Sequence, residues 1–272
     1  MKFLKTLLYK LAGKRNYLKI VSSLFFLFYR TGLLKLFNKF DTHYLAPSLV
    51  KRGWVIIDIG ANLGYYSVIL GKATGEKGKL YAVEPVDDYR IILRRNIKNL
   101  PWVEVVPYAL GVSSGRARMA IPGNDKTRHG LTRITGEAEK PYGSQFSPAG
   151  STVTAENEPV QDSGWNVEIK SPAELFGNIG TVHYIKCDIE GYEAKLFPAL
   201  MPLVTKSRPV IQIEIARENR SLIRDLMIPL GYNSFKAAGR RLTAVDTNDA
   251  ESSDVIFIPE EITRNYSELI NN

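Results

Sequence analysis

Short apolar runs rich in β-branched residues alternate along this chain with longer stretches of helical periodicity. The apolar runs predict buried strands at residues 54–58, 79–83, 103–106, 182–187 and 209–215. Helices are predicted between them at residues 66–72, 87–99, 192–200 and 219–230. Residues 232–236 and 254–258 are predicted to form a final antiparallel pair. Residues 109–111 are predicted to form a turn that leads away from the third strand.

Repeated strand–helix units indicate an α/β fold with right-handed crossovers. We therefore expect a Rossmann-like, seven-stranded, mostly parallel sheet flanked by helices, with a helical extension at the N-terminus. In such sheets ligands bind in the crevice at the carboxyl ends of the strands. We assign residues 51–272 to this domain, with an acceptor-binding insertion at residues 112–170, and residues 1–50 to the extension.

The extension is predicted to be a basic amphipathic helix. Phe3, Leu4, Leu7, Leu8 and Leu11 recur at helical spacing among lysines. A second apolar stretch, residues 20–29, contains ten residues, whereas a membrane-spanning helix needs about 20. It runs into basic residues without a small-residue cleavage site, so a secretory signal is also disfavoured.

Charge is distributed unevenly along the chain. Residues 1–40 carry nine Lys or Arg and no acid, so the overall net charge of +8 leaves −1 for the remainder. The body of the protein is therefore not a nucleic-acid-binding surface. Residues 1–40 would either pack on the domain or on a second subunit, or dock peripherally on an anionic membrane such as the inner membrane face. The single Cys187 fits a reducing compartment, and we expect the cytoplasm.

A glycine-rich turn follows the first predicted strand directly. It contains Gly60, Asn62 and Gly64, preceded by Asp58, and such a turn lets a backbone approach a ligand closely. Asn62 stands where a dinucleotide-binding motif has its middle glycine, which argues against NAD. Glu84 ends the second strand, 20 residues after Gly64, where a carboxylate can accept hydrogen bonds from both hydroxyls of a ribose.

A second group of charged residues lies around the fourth predicted strand. Lys186 and Asp188 alternate onto one side of that strand, and Glu190 follows. Lys186 lies in a mostly apolar strand and should have a carboxylate partner. Glu214 ends the next strand in the same way. The sequence therefore predicts a cluster of acids at the carboxyl edge of the sheet.

These motifs resemble the FkbM family of class I methyltransferases between about residues 54 and 215. The similarity is carried by the turn at residues 58–67, by residues 83–85 and 109–110, and by the more specific Lys-x-Asp-x-Glu-Gly string at residues 186–191. It implies S-adenosylmethionine-dependent O-methylation, with sugars, polysaccharide precursors or natural products as acceptors. The cofactor-binding residues it implies are Asp58, Gly60, Ala61, Asn62, Gly64, Tyr66, Glu84, Pro85, Ala109 and Asp188.

Methylation of a hydroxyl needs a group that removes the proton. Asp188, Glu190 and Glu214 are the candidate catalytic acids, with Lys186 orienting a carboxylate or the acceptor oxygen. Asp188 and Glu214 would alternatively hold Mg²⁺ or another hard cation. We expect Glu193 to be a surface helix residue and no metal ligand.

Several further expectations concern the insertion and the histidines. Residues 116–121 are predicted to form part of a hairpin, and residues 171–174 a helix-capping box. The basic side chains of the insertion would bind an anionic group of the acceptor or remain solvated, with His129 as a possible base. These are Arg116, Arg118, Arg128, His129 and Arg133. His183 is expected to be a packed core histidine.

Two other functions fit the same fold. One is an NAD-dependent oxidoreductase, because dinucleotides bind to a related topology. The other is a non-catalytic, membrane-associated protein that binds the cofactor without turnover.

Overall fold

The computed structural model describes residues 2–121, 127, 130, 132–134, 164–246 and 254–271. Its helices are α1 (Lys2–Thr31), α2 (Asp41–Leu49), α3 (Tyr65–Thr74), α4 (Asp87–Ile97), α5 (Pro172–Phe176), α6 (Glu193–Ser207), α7 (Arg220–Met227) and α8 (Glu260–Thr263). Its strands are β1 (Val55–Ile59), β2 (Lys79–Val83), β3 (Val103–Val106), β4 (Ala109–Leu110), β5 (Gly115–Ala120), β6 (Arg133–Ile134), β7 (Trp165–Lys170), β8 (Tyr184–Cys187), β9 (Val210–Glu214), β10 (Tyr232–Ala238), β11 (Arg241–Ala244) and β12 (Asp254–Pro259).

The main sheet has the order β11-β10-β12-β9-β8-β1-β2-β3. The five strands from β9 to β3 pair in parallel, whereas β12, β10 and β11 join in antiparallel fashion. The predicted mostly parallel sheet flanked by helices is therefore confirmed, and β11 adds an eighth strand at its edge. The order reverses between β1 and β8, so a crevice opens there at the carboxyl ends of the strands.

Helix packing buries both faces of the central strands. Four of the five residues of β1 are buried, as are all four of β8, which explains their continuous apolar sequences. Asp58 and Lys186 lie side by side in the β1–β8 register within this apolar environment. The two charges therefore partner each other inside the sheet.

A second, smaller sheet has the order β4-β7-β5-β6. Ala109 and Leu110, which were predicted to form a turn, instead form strand β4, because β7 offers them a parallel partner. Strand β5 pairs in antiparallel fashion with both β6 and β7, which confirms an extended segment at residues 116–120. The predicted capping box is confirmed as well, since Ser171 Oγ accepts from the Glu174 backbone N–H at 3.2 Å.

The N-terminal helix is present, and it is broken at Gly13, whose φ is 72°. Its C-terminal part packs inward on the domain. Tyr17 and Leu18 join Leu63 and Tyr89 in a buried cluster, and burial of each such side chain contributes roughly 1.5–3 kcal/mol. No helix among the described residues has the length and apolar composition needed to cross a bilayer.

Candidate active site

A pocket of about 250 Å³ lies at the carboxyl ends of the strands, where β1, β2 and β8 end. Its walls come from the turn after β1, the end of β2, the loop after β8, helix α2 and the second sheet. The lining residues are His43, Ile59, Gly60, Ala61, Asn62, Tyr65, Tyr66, Val83, Glu84, Pro85, Tyr89, Ala109, Leu110, Met119, Gly130, Thr132, Ile134, Lys186, Asp188, Ile189, Glu190 and Tyr192.

The turn after β1 depends on glycine at position 60. Gly60 has a φ of 78°, and a Cβ at this position would lie 1.9 Å from the backbone oxygen of Asp188. The backbone N–H groups of Gly60 and Ala61 both donate to the Val83 carbonyl, at 3.1 and 2.9 Å. Absence of a side chain therefore brings the loops after β1 and β8 into contact along one edge of the pocket.

Glu84 is buried at the end of β2 and fixes the shape of the turn. Its two carboxylate oxygens accept from the backbone N–H groups of Asn62 and Val86, each at 2.8 Å. Burial raises the pKa of Glu84 to about 7, against the opposing effect of these two donors and of Arg90. Each oxygen keeps lone pairs for a further donor, such as a ribose hydroxyl.

Lys186 holds the second charged group together from within the sheet. Its Nζ lies 3.0 Å from Asp188 Oδ2 and 3.9 Å from Asp58 Oδ1, and it lies over the Tyr66 ring. Burial works against the ammonium, but the two carboxylates prevail and raise the pKa of Lys186. Lys186 is thus a fixed cation that orients Asp188 toward the pocket.

Asp188 and Glu214 form a coupled pair of acids. The two carboxyl groups are hydrogen-bonded, and Lys186 holds the pKa of Asp188 below its usual range despite burial. Burial and the neighbouring Asp188 raise the pKa of Glu214 to about 8. At neutral pH the pair therefore keeps one proton, on Glu214, and Asp188 is the ionised member. Glu190 brings a third carboxylate oxygen within 4.8 Å of both.

The expectation that Glu193 lies on the protein surface was wrong. Its side chain is almost fully buried, and it accepts from the backbone N–H groups of Ile189 at 2.7 Å and Gly191 at 2.9 Å. The sequence position suggested an exposed first turn of a helix, but the loop after β8 folds back over it. Glu193 therefore holds the loop that carries Asp188 and Glu190, where Glu190 has a φ of 58°.

His43 enters the pocket wall from α2, outside all the predicted motifs. Its ring stacks on Tyr66 with the centroids 4.2 Å apart, and its Nδ1 lies 3.2 Å from the Tyr66 hydroxyl. Burial, assisted by Lys186, lowers the pKa of His43 to about 3. The imidazole is therefore neutral at every pH at which an enzyme normally works.

Hydrogen bonding around Tyr66 determines which nitrogen of His43 carries the proton. Thr42 donates to Asp254 at 3.5 Å, so its oxygen accepts from the Tyr66 hydroxyl at 2.9 Å. Gln212 Nε2 donates to the same hydroxyl at 2.9 Å. With the single proton of Tyr66 committed to Thr42, His43 Nδ1 must be the donor in its own contact. His43 Nε2 therefore has no proton and accepts hydrogen bonds.

Most of the predicted cofactor-binding residues line the pocket, and a few lie behind its wall. Asp58 is fully buried and accepts from Ser67 Oγ at 2.6 Å. Gly64 packs on helix α4, where a Cβ would lie 2.4 Å from Leu93 Cδ1. Glu214 reaches the pocket only through its contact with Asp188.

The other predicted residues whose side chains the structure describes lie away from the pocket. His183 accepts from the Val55 backbone N–H at 3.1 Å and stacks on Trp54, but it is half-buried and not the core histidine that was expected. Arg116 is exposed, and neither Arg116 nor Arg118 lines the pocket. Arg128 and His129 lie outside the described residues, as does the side chain of Arg133.

Comparison with known proteins identifies the family to which the chain belongs. A sequence profile of the methyltransferase FkbM domain matches residues 58–237, more than half of the chain. The chain therefore belongs to this family. This assignment decides against the NAD-dependent oxidoreductase. A search of curated proteins gave no significant match.

Three solved structures illustrate what the chain is similar to. An FkbM methyltransferase from Methylobacillus flagellatus KT is 14% identical, with 80% of this chain and 47% of that chain covered and a TM-score of 0.47. A SAM-dependent O-methyltransferase from Thermotoga maritima is also 14% identical, with 80% and 63% covered and a TM-score of 0.41. Fibrillarin from Aeropyrum pernix, with natively bound S-adenosyl-L-methionine, is 12% identical, with 80% and 76% covered and a TM-score of 0.42.

This chain thus spans about half of the Methylobacillus flagellatus protein. The family assignment rests on the profile match alone.

Proposed function

We propose that this methyltransferase acts on a hydroxyl group of a saccharide or a similar small hydroxylated acceptor. The observation that carries the proposal is the position of Asp188 in the pocket wall, 3.0 Å from Lys186 Nζ and hydrogen-bonded to Glu214. Lys186 lowers the pKa of Asp188, whereas burial raises the pKa of Glu214, so Asp188 is the ionised member of the pair. A hydroxyl needs a base to become a good nucleophile, and Asp188 is available as one at neutral pH.

The polar groups on this side of the pocket also suit a polyol. Asp188, Glu190 and the Nε2 atom of His43 all accept hydrogen bonds, and sugar hydroxyls donate them. Hydroxyl donors would satisfy these acceptors, whereas the carboxylates would repel an anionic acceptor. The pocket chemistry therefore favours a neutral, hydroxyl-rich molecule.

Glu84 and the glycine turn are proposed to hold the cofactor. Two features support cofactor binding at this place. Gly60 keeps the turn in contact with the loop after β8, and the buried carboxylate of Glu84 has lone pairs that can accept hydrogen bonds from ribose hydroxyls. Ala61, Asn62, Pro85 and Ala109 line the same part of the pocket, and Asp58 supports it from behind through Lys186.

In the proposed reaction, bound S-adenosylmethionine supplies an activated methyl group. Asp188 accepts the proton of the acceptor hydroxyl, and Lys186 keeps Asp188 ionised and oriented. Glu193 holds the backbone of the loop that carries Asp188. Alignment by such positioned groups and proton removal together would account for most of the acceleration.

A bound divalent cation is an alternative to Lys186 for neutralising the negative charge of the acidic cluster. Asp188, Glu190 and Glu214 present the hard oxygen ligands that Mg²⁺ prefers. However, Lys186 and the proton on Glu214 already neutralise much of this charge. We therefore propose that methyl transfer does not need a metal and should persist in EDTA. Loss of activity in EDTA that Mg²⁺ restores would favour the cation instead.

Transfer of label from tritiated S-adenosylmethionine to a panel of acceptors tests the proposed function. The panel should contain saccharides, lipid-linked saccharides and the matching amino sugars. We expect label in a hydroxylated saccharide as a methyl ether that resists mild alkali. Label found only on the amino group of amino sugars would contradict the proposal and indicate N-methylation.

His43 is expected to contribute to acceptor binding rather than to cofactor binding. His43→Phe keeps a ring that can stack on Tyr66 but removes the Nε2 acceptor, so the KM for the saccharide identified in that panel should rise about tenfold, the value of one hydrogen bond. The affinity for S-adenosylhomocysteine should stay unchanged in calorimetry.

His183→Phe is the matched control, because His183 lies outside the pocket. It should leave the acceptor KM unchanged. Long-range ¹H–¹⁵N correlation spectra should show the proton of His43 on Nδ1. A proton on Nε2 would refute the assigned tautomer and the role of His43 with it.

A further inference from the structure

The outer face of the N-terminal segment is unusually apolar. Of the twelve large apolar side chains that are exposed in the described part of the chain, eight belong to residues 7–37. These eight are Leu7, Leu11, Ile20, Leu24, Leu27, Leu33, Leu36 and Phe37. The apolar side chains on the inner face of α1 already pack on the domain. The segment therefore has apolar side chains both on its inner face and on its exposed outer face.

Three of the exposed side chains share one face of the second half of α1. Ile20, Leu24 and Leu27 follow one another at intervals of four and three residues, so they lie on one face of α1. Leu36 and Phe37, which follow the helix, are 73% and 53% exposed. We call the exposed residues between positions 5 and 39 the outer surface. A concentration of exposed apolar side chains in one segment is typical of an interaction site.

The outer surface is also strongly basic. Residues 1–40 contain nine Lys or Arg and no Asp or Glu. Of the eight cations whose side chains the structure describes, six are exposed: Lys5, Lys10, Arg15, Arg30, Lys35 and Lys39. Apolar side chains flanked by cations suit a surface that is itself apolar inside and anionic outside.

We propose that the outer surface docks on an anionic lipid bilayer, with its leucines inserted at the level of the headgroups and its cations on the lipid phosphates. A second copy of this chain would bring two segments with nine cations each together, and the repulsion opposes that contact. Nucleic acid would satisfy the cations but leave the leucines in water. The bilayer is the partner that satisfies both.

Docking would also bring the pocket close to the membrane. Phe25, on the inner face of α1, stacks on Tyr65 with the ring centroids 3.8 Å apart, and Tyr65 lines the pocket. Only the thickness of one helix, about 10 Å, then separates the outer surface from the pocket wall. The proposal does not depend on which acceptor is methylated.

Co-sedimentation of the full chain with vesicles tests this proposal. Vesicles of phosphatidylcholine alone should not bind the protein, whereas vesicles with equal parts of phosphatidylcholine and phosphatidylglycerol should bind it. High salt should weaken the binding. Replacing Lys35 and Lys39 by Gln should lower the binding constant about fivefold for each cation removed.

A matched pair of variants tests the apolar contribution. Leu24→Gln combined with Leu27→Gln should lower the partition into anionic vesicles at least about tenfold. The control, Leu222→Gln combined with Ile228→Gln, replaces two side chains of closely similar exposure in and directly after α7, outside the N-terminal segment. It should bind vesicles like the unaltered protein. Retained affinity for S-adenosylhomocysteine would show that both variants are folded.

Three results would overturn the proposal. The first is no binding to anionic vesicles, and the second is an equal loss in the control variant. The third is a dimer in sedimentation velocity that Leu24→Gln with Leu27→Gln dissociates, because a second copy would then cover the outer surface. None of these measurements uses methyl transfer, so they stand apart from the test of the proposed function.

Discussion

Replacing Glu84 by glutamine is expected to weaken the binding of S-adenosylhomocysteine about 100-fold or more. Hydrogen bonds to a charged group contribute roughly 1.5–3 kcal/mol each, and Glu84 is proposed to accept two from the ribose. The amide would in addition point an N–H group at the backbone donor of Asn62 or Val86 and disturb the turn. Isothermal calorimetry measures the affinity, and thermal unfolding of the unliganded variant measures the damage to the turn.

The pH dependence of the same affinity separates the carboxylate from the fold of the turn. Burial raises the pKa of Glu84 to about 7. Ribose hydroxyls need the ionised form, so the affinity should be full above pH 7 and fall as the pH drops below it. Glu84→Gln should abolish this dependence.

Glu104→Gln, on the neighbouring strand β3, is the matched control, because Glu104 is exposed and pairs with Lys79 at 2.7 Å. Its affinity should equal that of the unaltered protein. Unchanged affinity in Glu84→Gln would refute the proposed cofactor contact.

Asp188→Asn is expected to lower kcat roughly 10²–10⁴-fold, the usual contribution of a positioned base. The variant keeps the shape of the side chain but cannot take up the hydroxyl proton. The affinity for S-adenosylhomocysteine should change much less. Lys186 would be left with Asp58 at 3.9 Å as its ion-pair partner, so we also expect a lower melting temperature. Kinetics must therefore be measured well below that temperature.

Glu214→Gln is the informative partner of this variant. Burial and Asp188 raise the pKa of Glu214 to about 8, so the side chain is neutral at pH 7. Glutamine reproduces that neutral state. At pH 7 its kcat should therefore stay close to that of the unaltered enzyme. A large loss in Glu214→Gln together with a small loss in Asp188→Asn would reverse the assignment of the base.

Much of the fold could be predicted from the sequence because the signals are local. Apolar runs such as Val55–Ile59 predicted the strands. The acids and glycines that follow these runs indicated that the pocket lies at the carboxyl edge of the sheet. Ala109 and Leu110 were different. A segment of two residues is too short to show the alternation of apolar and polar positions that predicts a strand. These residues form a strand only because they pair with β7, which is distant in the sequence.

Parts of the site could not be predicted, because they depend on contacts between distant segments. His43 belongs to the N-terminal segment, and only packing against Tyr66, 23 residues further on, brings it into the pocket. Glu193 has the sequence context of an exposed helix start, and its burial depends on the fold of the preceding loop. The difference between Asp188 and Glu214 arises from Lys186, whose position relative to each acid becomes known only in three dimensions.

A crystal structure with S-adenosylhomocysteine bound tests the central claim most directly. The account predicts the ribose hydroxyls on Glu84 and the sulfur directed toward Asp188. A nucleoside bound elsewhere, or Glu84 without a contact to the ribose, would contradict it.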